Sequence, residues 1–199
     1  MTGVQTCALP IYTWQRGGVR PANHPHRRLG TAAALVRKHP NLFDNVIGAL
    51  ETGGDPATLF TAVRDPYWNN HFTLGGKRAA APVQLVGPAR AQELMVNVVL
   101  PFAAAHAAIT DNPGLAERCL DRYRTLGRSS SNATLRLAAQ QLFDSQAAAR
   151  RVIRTACQQQ GLLQVFHDFC LQDKSGCEQC QFPALASHWG HGSPATADR

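Results

Sequence analysis

Apolar residues recur at helical spacing along most of the chain, and strand-like alternation is nearly absent. In the first such segment Leu29, Ala32, Ala33 and Val36 share one face, which predicts a helix over residues 26–39. The same spacing, with proline and asparagine as boundary signals, predicts helices over residues 42–51, 55–64, 88–110, 114–126, 132–143 and 145–169. The chain is therefore predicted to be all-α, an irregular multi-helix array with a C-terminal cysteine-containing loop.

Residues 65–87 interrupt this pattern with a stretch rich in Gly, Asn and Pro, which predicts an irregular connection. Trp68 and the polar residues after it either cover a helix junction as an aromatic plug or stack on a nucleic-acid base. The apolar run over residues 94–109 contains Asn97, Pro101 and His106, which favours a kinked core helix over a membrane span. Asn97 is expected to be buried there and to bond with the loop over residues 20–23.

The two ends of the chain differ in character from the rest. Residues 1–11 look like a translated sequencing adapter and are set aside as an artefact. Residues 12–189 are predicted to form a single helical domain, the C-terminal part of a longer protein. Residues 190–199 are rich in Gly, Ser and Pro and are expected to be a disordered tail.

The charge balance is basic, with 20 Lys and Arg against 13 Asp and Glu, a net charge of +7. Such an excess suits DNA, RNA or another polyanion, although an arginine-rich genome produces it without any ligand. Outside residues 1–11 the number of cysteines is odd and no secretion signal is visible, which argues against a disulfide framework. We therefore expect a cytoplasmic protein without a membrane anchor.

The strongest chemical signal is the spacing C-x6-C-x2-C formed by Cys170, Cys177 and Cys180. A two-residue gap lets two thiolates face one point, as in zinc and iron–sulfur sites. His167 lies one helical turn before Cys170 and is the predicted fourth ligand. Other candidates for that position are His188, His191, Cys119 and Cys157. The alternative is a turn that carries ordinary reduced thiols.

A second candidate site is the arginine-rich start of the first helix, formed by Arg20, Asn23, Arg27 and Arg28. Guanidinium groups and helix N-terminal amides together can bind a phosphate. Alternatively, Arg20 and Asn23 satisfy loop carbonyls and cap the helix. No catalytic residue is predicted.

Three segments carry a resemblance to a known family. They are Trp14–Leu29, with RPANHPHRR; Ala91–Phe102, with N-x-V-x-P-F; and Gln159–Cys180, with QQGL before the cysteines. Together they resemble a bacterial family known as domain of unknown function 2851. The resemblance implies an upstream nuclease-like segment with Mg²⁺-binding carboxylates, and no residue of that segment lies in this chain.

These features together predict an accessory helical module of a nucleic-acid-processing, nuclease-like protein. Its cysteine loop would hold zinc or an iron–sulfur cluster, and its partners would be DNA or RNA and its own missing N-terminal domain. The alternative is a non-catalytic scaffold that packs on that domain. A weaker possibility is a small-molecule site between Arg20, Asn23 and Asn97.

Overall fold

The computed structural model describes residues 20–143, 145–172 and 177–189 of the chain. Its α-helices are α1 Pro25–Lys38, α2 Leu42–Glu51, α3 Ala57–Thr61, α4 Pro88–Leu94, α5 Leu100–Ile109, α6 Pro113–Thr125, α7 Ala133–Phe143, α8 Gln146–Val152, α9 Ala156–Val165 and α10 Phe182–Trp189. The only strand-like pairings in the described residues are two isolated bridges, one between His71 and Arg78 and one between Gly127 and Thr155. The all-α prediction is confirmed.

The chain divides into two compact units, which we call unit 1 (Met1–Cys119) and unit 2 (Leu120–Arg199). Each unit is described by itself below. The single domain predicted over residues 12–189 stays a prediction, as does the artefact at residues 1–11, which lie outside the described residues.

Unit 1 buries the apolar faces of α2, α3, α4 and α5. Its most completely buried side chains include Val63, Met95, Ala103 and Leu115, each at 0% exposure. Asn112 fixes the start of α6, because its Oδ1 accepts a hydrogen bond from Leu115 N at 3.0 Å and its Nδ2 donates to Glu51 Oε1 at 3.1 Å. This cap is the one that the Asn-Pro pair predicted.

The long apolar helix of unit 1 is continuous from Pro88 to Ile109, but it contains a π-helical turn at Met95–Val99. Proline lacks an N–H and its ring clashes with the carbonyl four residues earlier, so the widened turn before Pro101 accommodates it. By length and composition this helix alone, among the described residues, would be able to cross a membrane. Core helices of soluble proteins share that property, so it carries no assignment.

Unit 2 has a core in which α7, α8 and α9 meet around Leu135, Ala138, Leu162 and Phe166. The continuous helix predicted from residue 145 to 169 is wrong, because α8 ends at Val152 and α9 begins at Ala156. Thr155 and Gln158 form a capping box there, in which each side chain bonds to the other residue's backbone N–H. Gly161 lies inside α9 without breaking it.

The C-terminal part of unit 2 also differs from the prediction. After α9 the chain makes a π-helical turn, Phe166–Leu171, and a short 3₁₀ turn, Cys177–Gln179. Helix α10 follows, in a range for which the apolar spacing predicted no helix. The predicted disordered tail at residues 190–199 lies outside the described residues.

Candidate functional site

The start of α1 is organised by backbone bonds and a histidine cap. Arg20 precedes a 3₁₀ turn, Pro21–Asn23, in which Asn23 N donates to Arg20 O at 2.8 Å. His24, rather than Asn23, is the N-cap residue, and its Nδ1 accepts a hydrogen bond from His26 N at 3.3 Å. The side chains of Arg20, Asn23 and Arg28 are exposed. Their predicted role in binding an anion therefore stays a prediction.

Arg27 has a structural role instead of the predicted anion-binding role. Its side chain is only 2% exposed, and burial lowers the pKa of the guanidinium. Its Nε donates to Trp68 O at 3.1 Å, and its Nη2 donates to Val83 O at 2.9 Å and to Gln84 O at 3.1 Å. These bonds tie α1 to both ends of the irregular connection and leave Arg27 inaccessible to a phosphate.

The start of the irregular connection is held in place by the carboxylate of Asp65. Its Oδ1 accepts hydrogen bonds from the backbone amides of Tyr67 and Trp68, both at 3.0 Å, and its Oδ2 accepts one from Arg37 at 3.1 Å. The backbone bond from Trp68 is the largest cause that lowers the pKa of the Asp65 carboxyl. The connection is therefore a defined turn of unit 1.

Trp68 packs on α1, a placement that fits the aromatic plug, one of its two predicted roles. A Cβ atom added to Gly30 of α1 would lie only 2.1 Å from Cε2 and Nε1 of the indole. The indole therefore packs directly on the α1 backbone at a position that only glycine permits. Beside it, the rings of Tyr67 and His71 are stacked at 4.1 Å.

Asn97 is exposed, so the predicted buried network with loop 20–23 is wrong. Its Nδ2 donates to Glu93 O one turn earlier at 2.9 Å. The small-molecule site suggested between Arg20, Asn23 and Asn97 loses the buried amide on which it depended. His106 is half-buried and meets the ring of Phe43 edge to face at 4.9 Å, as expected for a core histidine.

The structure brings the three predicted cysteines to one place in unit 2. Cys170, Cys177 and Cys180 line a cavity of about 270 Å³ together with Phe169 and Phe182. Burial raises the pKa of the Cys170 thiol, and the nearby sulfurs of Cys180 and Cys177 raise it further. Three thiols that line one cavity are a donor set suited to a soft metal.

The side chains of this cluster are not arranged as in a complete metal site. Among the described residues, no group of three or more His, Cys, Asp or Glu side chains is arranged to hold a metal ion. The predicted fourth ligand, His167, is not among the residues that line the cavity. Its Nδ1 lies 2.9 Å from Asp168 Oδ1, and its Nε2 lies 3.2 Å from Gln172 Nε2. A ring with both nitrogens bonded in its own turn offers no lone pair to a metal.

Unit 2 also contains an arginine-rich surface that the sequence analysis missed. Between Leu126 and His167 the sequence has five arginines and a single acidic residue, Asp144. All five are exposed, and we call four of them the arginine patch: Arg128, Arg150, Arg151 and Arg154. Arg128 and Arg150 line a common cavity, and Arg154 Nε donates to Arg151 O at 3.1 Å. The near absence of acidic residues over this range was the available signal.

Comparison with known proteins gives one result. Residues 3–132 match the sequence profile of a family described as protein of unknown function (DUF2851). This range includes the first two resembling segments and most of residues 1–11, but it ends before the cysteines and before three arginines of the patch. No curated protein and no solved structure matches the chain.

Proposed function

Since the chain belongs to the DUF2851 family, whose description assigns no activity, we propose from its surface chemistry that it is a nucleic-acid-binding helical module of a nucleic-acid-processing protein. The observation that carries this proposal is the arginine patch of unit 2. Its four guanidinium groups are exposed, and the sequence around them is almost free of carboxylates. Phosphate backbones are the common polyanions that recruit such a surface.

The placement of the arginines supports the proposal. Arg150 and Arg151 lie in the last turn of α8, where a positive charge also favours the helix dipole. Stabilisation of the helix dipole would need only these two residues. Arg154, which follows the helix, and Arg128, on the facing loop, extend the positive charge over a wider surface. In contrast, Arg124 of α6 lies 3.7 Å from Asp121, so its charge is partly balanced.

Substitution of single patch arginines tests this proposal. Arg151→Gln and Arg154→Gln should each lower the affinity for a single-stranded DNA or RNA oligonucleotide about 3- to 10-fold, because each removes one phosphate contact. Each should also reduce the magnitude of the slope of log affinity against log salt by about 0.7. Fluorescence anisotropy with labelled oligonucleotides measures both quantities, and the DNA and RNA arms show which polymer is preferred.

Arg124→Gln is the matched control, since it removes the same charge from the same unit outside the patch. It should change the affinity by less than about two-fold, because its interaction with Asp121 is exposed and weak. An equal loss in all three variants would mean that only net charge matters. That result would contradict the assignment to the patch.

The cysteine cavity is the second part of the proposal, as a zinc or iron–sulfur site. Cys170→Ser, Cys177→Ser and Cys180→Ser should each weaken zinc binding at least about ten-fold, since each removes a thiolate ligand. Zinc competition against a chromophoric chelator measures this, and iron and sulfide analysis of anaerobically purified protein identifies a cluster.

Two further variants act as controls for the metal site. Cys157→Ser should leave zinc affinity unchanged, because the Cys157 thiol is hydrogen-bonded to Tyr123, whose pKa is raised mainly by burial and also by this contact. His167→Ala should also leave it unchanged, because both ring nitrogens bond within their own turn. Equal zinc affinity in all five variants, or protein without metal after anaerobic purification, refutes the metal site.

One observation favours the alternative of a structural scaffold. Helix α5 exposes Phe102, 56% accessible, and Ile109, 84% accessible, on one face with Ala105 between them. Apolar side chains in such a row are typical of a surface that packs on another domain. Failure of the chain to bind any oligonucleotide would leave this scaffold role as the better account.

A further inference from the structure

A second cavity of unit 2 has the properties of a small-ligand site. It encloses about 270 Å³ and lies between α7, α8, α9 and the loop that carries Arg128–Ser131. Most of its inner wall is apolar and is formed by Leu135, Ala139, Ala149, Ile153 and Leu162, with the buried Gln159 beside them. The exposed lining residues are Arg128, Arg150 and Ser131. The cavity therefore combines an apolar interior with a positively charged mouth.

The loop at the mouth is held in place by a buried amide. Gln159, only 7% exposed, donates from Nε2 to Ser129 O at 3.2 Å, and its Oε1 accepts a hydrogen bond from Ser129 N at 2.7 Å. Next to this pair, Ala156 N donates to Leu126 O at 2.9 Å. Because both the oxygen and the nitrogen of the Gln159 side-chain amide bond to Ser129, the loop is held in place before a ligand binds. Such preorganisation lowers the entropic cost of binding.

The charges at the mouth have no counter-charge nearby in the described part of the chain. No acidic residue is among those that line the cavity, and neither Arg128 nor Arg150 forms an ion pair with a described residue. A phosphate monoester carries nearly two negative charges at neutral pH, and two guanidinium groups match that number. The apolar interior suits a flat ring rather than a further charge.

We propose that this cavity binds a small phosphorylated ligand of mononucleotide size, with the phosphate between Arg128 and Arg150 and the ring against the apolar wall. A volume of about 270 Å³ admits one base with its sugar but no second base. This inference goes beyond nucleic-acid binding by the patch, because a free mononucleotide needs only the cavity. The two sites share Arg128 and Arg150, whereas Arg151 does not line the cavity.

Calorimetric titration of the full chain with adenosine 5′-monophosphate tests the proposal. Adenosine and inorganic phosphate should each bind at least about ten-fold more weakly than the nucleotide, because each fills only half of the site. Arg128→Gln and Arg150→Gln should each weaken nucleotide binding about ten-fold or more, as expected for the loss of a charge-assisted hydrogen bond. Both residues are exposed, so we expect both variants to fold normally.

Arg151→Gln is the discriminating control, since it neutralises the neighbouring residue on the same helix. It should weaken oligonucleotide binding but leave nucleotide binding within about two-fold. Nucleotide affinity that falls equally in Arg150→Gln and Arg151→Gln would overturn the proposal. Tighter binding of octanoate, an alkyl carboxylate with neither ring nor phosphate, than of the nucleotide would overturn it as well. Oligonucleotide binding without nucleotide binding would overturn the cavity site alone, so the two proposals fail separately.

Discussion

Arg27→Met is expected to destabilise unit 1 by about 2–4 kcal/mol, because it removes three hydrogen bonds from a buried guanidinium to main-chain carbonyls and leaves Val83 O with only its bond from Asn69 Nδ2. These groups are the carbonyls of Trp68, Val83 and Gln84, which all accept hydrogen bonds from the single guanidinium. Methionine would fill much of the space and keep the apolar contacts of the arginine stem, so the lost hydrogen bonds dominate the effect. Urea unfolding followed by far-ultraviolet circular dichroism measures the change.

Arg28→Met is the matched control for this prediction. Arg28 is the next residue of α1, it is exposed, and it carries the same charge. We expect its replacement to change the free energy of unfolding by less than about 0.5 kcal/mol. Equal stabilities of the two variants would show that Arg27 does not hold the irregular connection, and its predicted role as an anion ligand would have to be considered again.

Gly30→Ala is expected to destabilise unit 1 by about 2–3 kcal/mol, although alanine is the better helix former. The new Cβ would lie 2.1 Å from Trp68 Cε2, a distance that forces the indole or the helix backbone to move. Movement of the indole also displaces the carbonyl of Trp68 that Arg27 holds. The effects of Gly30→Ala and Arg27→Met should therefore be less than additive.

Gly48→Ala provides a control with the opposite sign. Gly48 lies inside α2, and a Cβ added there would meet no atom within 4 Å. Its replacement should therefore stabilise the chain by up to about 1 kcal/mol through helix propensity and the smaller entropy of the unfolded state. If Gly30→Ala is also neutral or stabilising in thermal unfolding, the close packing of Trp68 on α1 is wrong.

The helices were largely predictable because their boundaries carry local chemistry. Pro88 begins the long helix where predicted, and Asn132 caps α7, with its Oδ1 accepting a hydrogen bond from Leu135 N at 2.7 Å. The break before α9 was also readable, since Thr155 and Gln158 form a Thr-x-x-Gln capping box. The apolar periodicity that continues from α8 into α9 hid this signal, because periodicity alone does not mark where one helix ends.

The roles of individual site residues were less predictable, because they depend on distant parts of the chain. Arg27 and Arg28 are adjacent and identical, and only the carbonyls around residues 68 and 83–84 decide which one is buried. Asn97 lies in a helix that is apolar on most sides, so its sequence does not define a buried face. The π-helical turn at Met95–Val99 then sets the face on which Asn97 lies, and no local pattern predicted that turn.

The central claim is that the arginine patch binds the phosphate backbone of a nucleic acid. The most direct measurement is the affinity of the unmodified chain for a single-stranded oligonucleotide between about 50 and 200 mM salt, where counterion release dominates. Four phosphate contacts at about 0.7 released ions each predict a slope of log affinity against log salt near −3. Absence of saturable binding at the lowest salt concentration, or an affinity that does not change with salt, would contradict the claim.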